Sequence, residues 1–128
     1  MVLMQVEAPS LRVEISRHRL GLRVHVRGEE TFENTVAYWR SIIDKLDGVP
    51  GCGLLLIDEL QGTPLSEPQW LDLIVSMEGS RLRRFRIAHV RPGGLRDVEY
   101  CELFARDADY DARVFVDEGS AERWLAEA

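Results

Sequence analysis

Residues 54–57 (Leu-Leu-Leu-Ile) constrain the fold more than any other part of the sequence. Four consecutive apolar residues are too few for a helix but suit a short strand that is buried on both faces. Segments with helical periodicity lie on either side, because apolar residues recur every three or four positions over residues 31–46 and again after Ser66. A buried strand between two helices is typical of a parallel sheet, in which each connection crosses from one end of the sheet to the other.

The remaining segments extend this alternation of strands and helices. Residues 11–17 and 20–27 each alternate apolar and polar side chains, which is the period of a half-buried strand, and the short link between them favours an antiparallel hairpin. Four further elements follow the second helix: a strand over residues 84–90, a helix after Pro92, a strand over residues 113–116 and a helix capped by Asp117. The sequence therefore predicts an α/β fold with a mixed, mostly parallel sheet and the order β-β-α-β-α-β-α-β-α.

One domain accounts for the chain. Its 128 residues are the usual size of a single domain, and no repeat or linker divides them. We assign the domain to residues 11–127 and residues 1–10 to an N-terminal extension, which lacks the basic and apolar regions of a signal peptide. The longest apolar run is far short of the ~20 residues that span a bilayer, and two cysteines are too few for a disulfide framework. These features predict a cytoplasmic protein.

The end of the chain carries a distinctive pattern of a strand, an acidic turn and a helix. Its members are Val114, Phe115, Asp117, Ala121, Trp124 and Leu125. This pattern resembles the SpoIIAA-like branch of the STAS fold, in which a strand with a valine–phenylalanine pair precedes an acidic turn and a helix bearing alanine and tryptophan–leucine. The strands over residues 54–58 and 84–90 lie at the expected distances, so the resemblance covers roughly residues 11 to 127.

The resemblance implies a module without catalytic activity. STAS domains act mostly as switchable protein-binding modules or as regulatory parts of transporters. The SpoIIAA-like branch is also similar to lipid-transfer folds, whose helices part to admit an apolar ligand, and peripheral membrane association is compatible with that similarity. The leading hypothesis is a regulatory module that binds a partner protein or an apolar, lipid-like small ligand between its first two helices and the sheet.

Polar side chains are expected to gather at one edge of the sheet, because ligands of open parallel sheets bind beyond the carboxyl ends of the strands. Trp70 lies on the helix that borders this edge, and an apolar helix face larger than the sheet can cover would form a groove or a homodimer contact. His89 shares its strand face with Phe85 and Ile87, so core packing competes with ligand binding for this histidine. The predicted ligand or partner site has seven members: Asp58, Glu59, Thr63, Ser66, Trp70, His89 and Arg91.

Ser66 supports three interpretations. With Gln69 three residues later it forms a capping box at a helix start. In anti-anti-sigma STAS members an aspartate–serine pair at this place carries the serine that a partner kinase phosphorylates. No aspartate precedes Ser66 here, but Ser66 or Thr63 is a candidate phosphoacceptor, because a helix N-terminus favours a phosphate. Together with His89 and Asp58, Ser66 also permits a small serine hydrolase, although the Gly-x-Ser-x-Gly elbow is missing.

Charge and residue spacing argue against nucleic acid, metal and cofactors. The chain has 16 basic and 22 acidic side chains, whereas nucleic-acid binders usually carry a basic excess. The arginines of residues 81–86 are most simply a solvated strand edge. Neither the histidines nor the cysteines stand at metal-ligand spacing, so the sequence predicts no metal site and no cofactor.

Overall fold

The structure, a computed structural model, describes residues 2–93 and 99–127. This part of the chain contains one sheet of six strands, four α-helices and a short 3-10 helix. In chain order the elements are β1 (Val2–Ala8), β2 (Leu11–His18), β3 (Gly21–Glu29), α1 (Phe32–Asp44), β4 (Gly53–Gln61), α2 (Glu67–Ser76), the 3-10 helix (Arg81–Arg84), β5 (Arg86–Val90), α3 (Glu99–Asp107), β6 (Asp111–Phe115) and α4 (Glu118–Ala126). None of the described helices is long and apolar enough to cross a membrane.

The strands lie in the sheet in the same order as in the chain, from β1 to β6. The first three strands form two antiparallel pairs, and the last four are joined by three parallel pairs. A helix links the two strands of each parallel pair, as a crossover connection requires. The predicted α/β fold with a mixed, mostly parallel sheet is therefore confirmed.

β1 is an additional strand that the predicted order does not contain. It pairs with β2 within the segment that the sequence assigns to an N-terminal extension. Its apolar alternation is broken, because the pairing register shifts between Val2 and Met4, and the adjacent Leu3 and Met4 are both half-buried. Because the two-residue alternation of apolar side chains is irregular, the hydrophobic pattern does not predict this strand.

Helices cover both faces of the parallel half of the sheet. Leu54 and Leu56 face a larger core that α1, α2 and α3 close, and Trp39 and Trp70 are buried there. The opposite face of β4 and β5 lies against a smaller core that α4 closes. The strands contribute Leu55, Ile57, Ala88 and Val90 to it, and α4 contributes Ala121, Trp124 and Leu125. The central run is thus buried on both faces, which explains why it lacks polar positions.

Close contact between β3 and β4 depends on glycine. Gly21 and Gly53 are partners at the start of the parallel pair. Gly21 has φ +148°, and a Cβ built on it would lie 2.0 Å from the carbonyl oxygen of Gly53. Only a residue without a side chain fits this position. The Gly21–Gly53 pair thereby fixes the start of the parallel register of β3 and β4, whose carboxyl ends lie at the same edge of the sheet.

Candidate functional site

Asp58 and His89 meet inside the protein because their strands are parallel neighbours. The register of β4 and β5 pairs Leu56 with His89, and the two-residue repeat of a strand places Asp58 on the same face as Leu56. Nε2 of His89 lies 2.8 Å from Oδ2 of Asp58, and both side chains are 3% exposed. The pair lies at the carboxyl ends of the central strands, where the sequence predicted a polar site.

Arg91 and Glu30 join this pair. Nη1 of Arg91 donates to Oδ1 of Asp58 at 3.0 Å, and Nη2 of Arg91 donates to Oε2 of Glu30 at 3.0 Å. The side chain of Glu30 is 4% exposed and that of Arg91 is 13% exposed. We refer to Glu30, Asp58, His89 and Arg91 as the buried charge cluster. Because Glu30 follows β3, Asp58 lies on β4 and Arg91 follows β5, the cluster links the ends of three neighbouring strands.

The pKa of Asp58 is held below its ordinary value by its partners. Burial is the largest single influence and acts in the opposite direction, since a carboxylate is less stable away from water. It is outweighed by the hydrogen bond and charge of His89, the charge of Arg91, and the hydrogen bond that Oδ1 accepts from the backbone N–H of Leu60. Asp58 is therefore ionised at neutral pH despite its burial.

This lowered pKa predicts a loss of stability in acid. A carboxyl group with a lowered pKa in the folded state stabilises the protein fully above its unfolded value of about 3.9, and the contribution is lost as the pH falls through the folded value. We expect the free energy of unfolding to fall as the pH drops below about 5, and the slope to decrease in Asp58→Asn by up to about 1.4 kcal/mol per pH unit. Urea unfolding at a series of pH values measures the slope.

The matched control is Asp47→Asn, which removes a carboxylate that is 74% exposed in its ion pair with Arg81. This variant should keep the slope of the wild-type protein, because solvent screens the charge. Equal slopes in the wild-type protein and Asp58→Asn would show that the buried charge cluster does not govern acid stability.

Glu30 is the cluster member that sequence reasoning missed. The rule that places ligands at the carboxyl ends of parallel strands points to the ends of the strands at residues 54–57 and 84–90. β3 also runs parallel to β4, so its carboxyl end reaches the same edge. The acidic Glu29-Glu30 pair directly follows the alternating segment of the sequence. Placing this pair at the site also requires the direct pairing of β3 with the central strand, which the local pattern does not show.

Glu59 points away from the buried charge cluster. β4 extends to Gln61, beyond the apolar run at residues 54–57, so Asp58 and Glu59 both lie on the strand. Adjacent strand residues face opposite sides of a sheet. Oε1 of Glu59 accordingly lies 3.0 Å from Nε2 of His25 on the other face. The predicted site groups both acids at one edge of the sheet, whereas the strand places them on opposite faces.

Thr63, Ser66 and Trp70 have other surroundings. Thr63 and Ser66 are exposed. Oγ of Ser66 accepts from the backbone N–H of Gln69 at 3.3 Å, and the N–H of Ser66 donates to Oε1 of Gln69 at 2.9 Å, so the predicted capping box is present. Trp70, predicted to line a groove, is 1% exposed and packs in the larger core. Of the seven predicted site residues, the structure joins three in one network: Asp58, His89 and Arg91.

The serine-hydrolase interpretation gains no support from this geometry. General-base catalysis needs a histidine nitrogen within hydrogen-bond reach of the serine hydroxyl. The hydroxyl of Ser66 is exposed and caps α2, whereas His89 is 2% exposed with Nε2 bound to Asp58. Phosphorylation of Ser66 or Thr63 stays a prediction, since both side chains are accessible.

A small cavity lies between α2, α3 and the sheet. Its volume is about 20 Å³, and its wall includes Trp39, Leu73, Met77, His89 and Tyr110. The hydroxyl of Tyr110 donates to the backbone carbonyl of Met77 at 3.1 Å and so connects the two sides of the cavity. A space of this size holds about one water molecule. A lipid-like ligand would therefore enter only if the helices moved apart.

The outward side of α2 carries an unusual row of apolar side chains. Pro68, Leu71 and Val75 follow one another at spacings of three and four residues, which aligns them on one helix face. Leu71 is 46% exposed and Val75 is 62% exposed. We call this row the α2 outer face. The buried side of the same helix contributes Trp70, Leu73 and Ile74 to the core. Helix α2 is therefore apolar both on its buried side and on its outward side.

The described part of the chain offers no group of three or more histidine, cysteine, aspartate or glutamate side chains that could hold a metal ion. Its sheet order and its helices on both faces are consistent with a SpoIIAA-like fold.

A comparison with solved structures agrees with that fold. Among solved structures, the chain is similar to an uncharacterized protein of the DUF3478 family with a SpoIIAA-like fold from Shewanella loihica PV-4. The two are 19% identical with a TM-score of 0.50, over 96% of this chain and 99% of the other. Neither a family model nor a curated protein matches the chain. The SpoIIAA-like fold that the C-terminal pattern predicted is therefore confirmed.

Proposed function

We propose that this SpoIIAA-like domain is a non-catalytic binding module that recognises a partner protein through the α2 outer face. The observation that carries the proposal is the exposure of Leu71 and Val75, at 46% and 62%, in line with Pro68 on the outward side of a helix. Single exposed apolar residues are common on protein surfaces, but an aligned row beside polar residues is typical of an interaction site. The polar groups of the buried charge cluster are engaged with one another, which fits a structural role for them.

The charges around the α2 outer face indicate the chemistry of the partner. Glu67, Asp72 and Glu78 are exposed on or next to α2, and the helix contains no basic residue. A complementary partner presents an apolar contact surrounded by basic side chains. A second copy of this chain bound through the same face would bring these acids together across a twofold axis. The α2 outer face therefore favours a different protein over a homodimer.

An apolar small ligand is the other half of the leading sequence hypothesis. The cavity between α2, α3 and the sheet has a volume of about 20 Å³, whereas sites for drug-sized ligands usually measure about 300–1,000 Å³. The α2 outer face needs no rearrangement to make contact. For this reason we favour the protein partner.

The proposal predicts that charge on the α2 outer face abolishes one specific interaction. In affinity purification from the cells of origin, the Leu71→Glu and Val75→Glu variants should each recover at least about tenfold less of one co-purifying protein than the wild-type protein does. The reason is that burying a leucine or valine side chain stabilises a complex by about 1.5–3 kcal/mol. Quantitative mass spectrometry measures the recovery, and a titration with the purified partner measures the affinity.

The matched control is Val116→Glu, which places the same charge on another apolar side chain that is 52% exposed. This variant should retain the partner, and all three variants should unfold within about 0.5 kcal/mol of the wild-type protein, as surface substitutions usually do. If the same proteins co-purify in equal amount with Leu71→Glu, Val75→Glu and Val116→Glu, the α2 outer face is not the binding surface.

A further inference from the structure

We propose that a second site, at the end of the sheet opposite to the buried charge cluster, binds a small molecule with a phosphate or carboxylate group on an apolar body. The site is an open pocket of about 450 Å³ where β4, β5 and β6 begin and α4 ends. We call it the basic pocket. Its wall contains four arginines: Arg19, Arg83, Arg84 and Arg86. This volume is in the range of ligand sites, which usually measure about 300–1,000 Å³.

Two of the four arginines are fixed by the protein. Nη1 of Arg86 donates to the carbonyl oxygens of Trp124 and Glu127, and the guanidinium lies 4.0 Å above the centre of the Trp124 ring. Nε of Arg86 pairs with Asp111 at 3.3 Å. Arg83 donates to the carbonyl oxygen of Ala108 at 3.2 Å. These contacts hold the wall in place and compensate the negative end of α4, which would otherwise repel an anion.

The other two arginines are available for a ligand. The side chains of Arg19 and Arg84 are exposed, and neither guanidinium forms a hydrogen bond or an ion pair with any residue in 2–93 or 99–127. The described wall carries four positive side chains and two negative ones, Asp111 and Glu127, in a chain whose net charge is −6. The guanidinium group matches phosphate and carboxylate oxygens with paired hydrogen bonds. An anion is therefore the ligand class that this surplus of positive charge selects.

Apolar side chains adjoin these charges. Leu20, Phe85 and Leu125 line the same pocket, and Phe85 and Leu125 are 7% and 8% exposed, so they form a firm surface at the edge of the two cores. A ligand with a short hydrocarbon part would cover this surface while its charged group meets Arg19 and Arg84. A bare inorganic anion would leave this apolar surface uncovered.

The test is an NMR titration of the ¹⁵N-labelled protein with hexyl phosphate and, separately, with hexanoate. We expect saturable shifts of the amide signals of Gly51, Gly53 and Leu20, which line the pocket. Hexanol and inorganic phosphate should each bind more weakly than hexyl phosphate does.

Arg19→Gln and Arg84→Gln should each weaken the binding of hexyl phosphate about three- to tenfold, because each removes charge-assisted hydrogen bonds. Arg40→Gln, on the exposed side of α1, is the matched control and should leave the affinity unchanged.

Cys52 provides a second readout because its side chain is exposed at the same pocket. Saturating hexyl phosphate should slow alkylation of Cys52 by iodoacetamide in the wild-type protein and in Arg40→Gln, but not in a variant that combines Arg19→Gln with Arg84→Gln. Peptide mass mapping assigns the modified cysteine. The proposal is overturned if hexyl phosphate and hexanoate give no saturable shifts, or if the combined variant binds them as tightly as the control. Equal binding of inorganic phosphate and hexyl phosphate would overturn the apolar part of the proposal.

Discussion

Arg91→Leu should lower the free energy of unfolding by about 3–5 kcal/mol, because it removes the cation that Asp58 and Glu30 share in the interior. The two carboxylates, 3% and 4% exposed, would lose a partner at 3.0 Å and could not recover full hydration without opening the ends of the strands. Urea unfolding at pH 7, followed by tryptophan fluorescence, measures the change.

An exposed ion pair provides the control for this prediction. Arg81 and Asp47 lie 2.7 Å apart, closer than Arg91 and its partners, but they are 63% and 74% exposed. Arg81→Leu should therefore change stability by no more than about 1 kcal/mol. Combining Arg91→Leu with Glu30→Gln and Asp58→Asn should recover a large part of the loss, because no unpaired carboxylate then remains buried. If Arg91→Leu and Arg81→Leu lower the free energy of unfolding equally, burial does not determine how much the buried charge cluster stabilises the protein.

Gly21→Ala should destabilise the protein by about 3–5 kcal/mol or prevent folding altogether. Two effects combine: strain from a side chain at φ +148°, and the clash of a Cβ 2.0 Å from the carbonyl oxygen of Gly53. Relief of the clash would separate β3 from β4 at the start of their parallel pair. The yield of soluble protein and the urea midpoint measure the effect.

Gly79→Ala separates strain from crowding. Gly79 also has positive φ, at +79°, but a Cβ there would meet nothing within 4 Å. The substitution should reduce stability by only about 1–2 kcal/mol, which is the conformational penalty of a left-handed residue. A loss in Gly21→Ala no larger than in Gly79→Ala would show that β3 and β4 can adjust to a side chain between them.

The spacing of apolar residues predicts most of the helices and strands, because most of these elements bury one complete face. The central run was recognisable as a strand covered on both sides, since Leu54 and Leu56 serve one core and Leu55 and Ile57 the other. β1 gave no such signal because its register shift breaks the alternation. Local pattern therefore predicts an element only where burial along it is regular.

The candidate site was predictable in its location but not in its membership. The carboxyl-end rule brought Asp58, His89 and Arg91 to one place, as the structure shows. It could not supply Glu30, because the contact of β3 with the central strand is a tertiary pairing that no local period encodes. The amphipathic pattern likewise could not show that the sheet and helices cover Trp70 completely. Membership of a site depends on which neighbours pack together.

The agreement between strand order in the chain and in the sheet bears on synthesis in the cell. Each strand pairs with the one before it, so a nascent chain can lengthen the sheet as translation proceeds. One apolar surface of the sheet is covered last. It is covered by α4, which follows all six strands, and it consists of Leu55, Ile57, Ala88 and Val90. Until α4 leaves the ribosome this surface is open to water, and we expect chaperones that bind exposed hydrocarbon to protect the unfinished protein there.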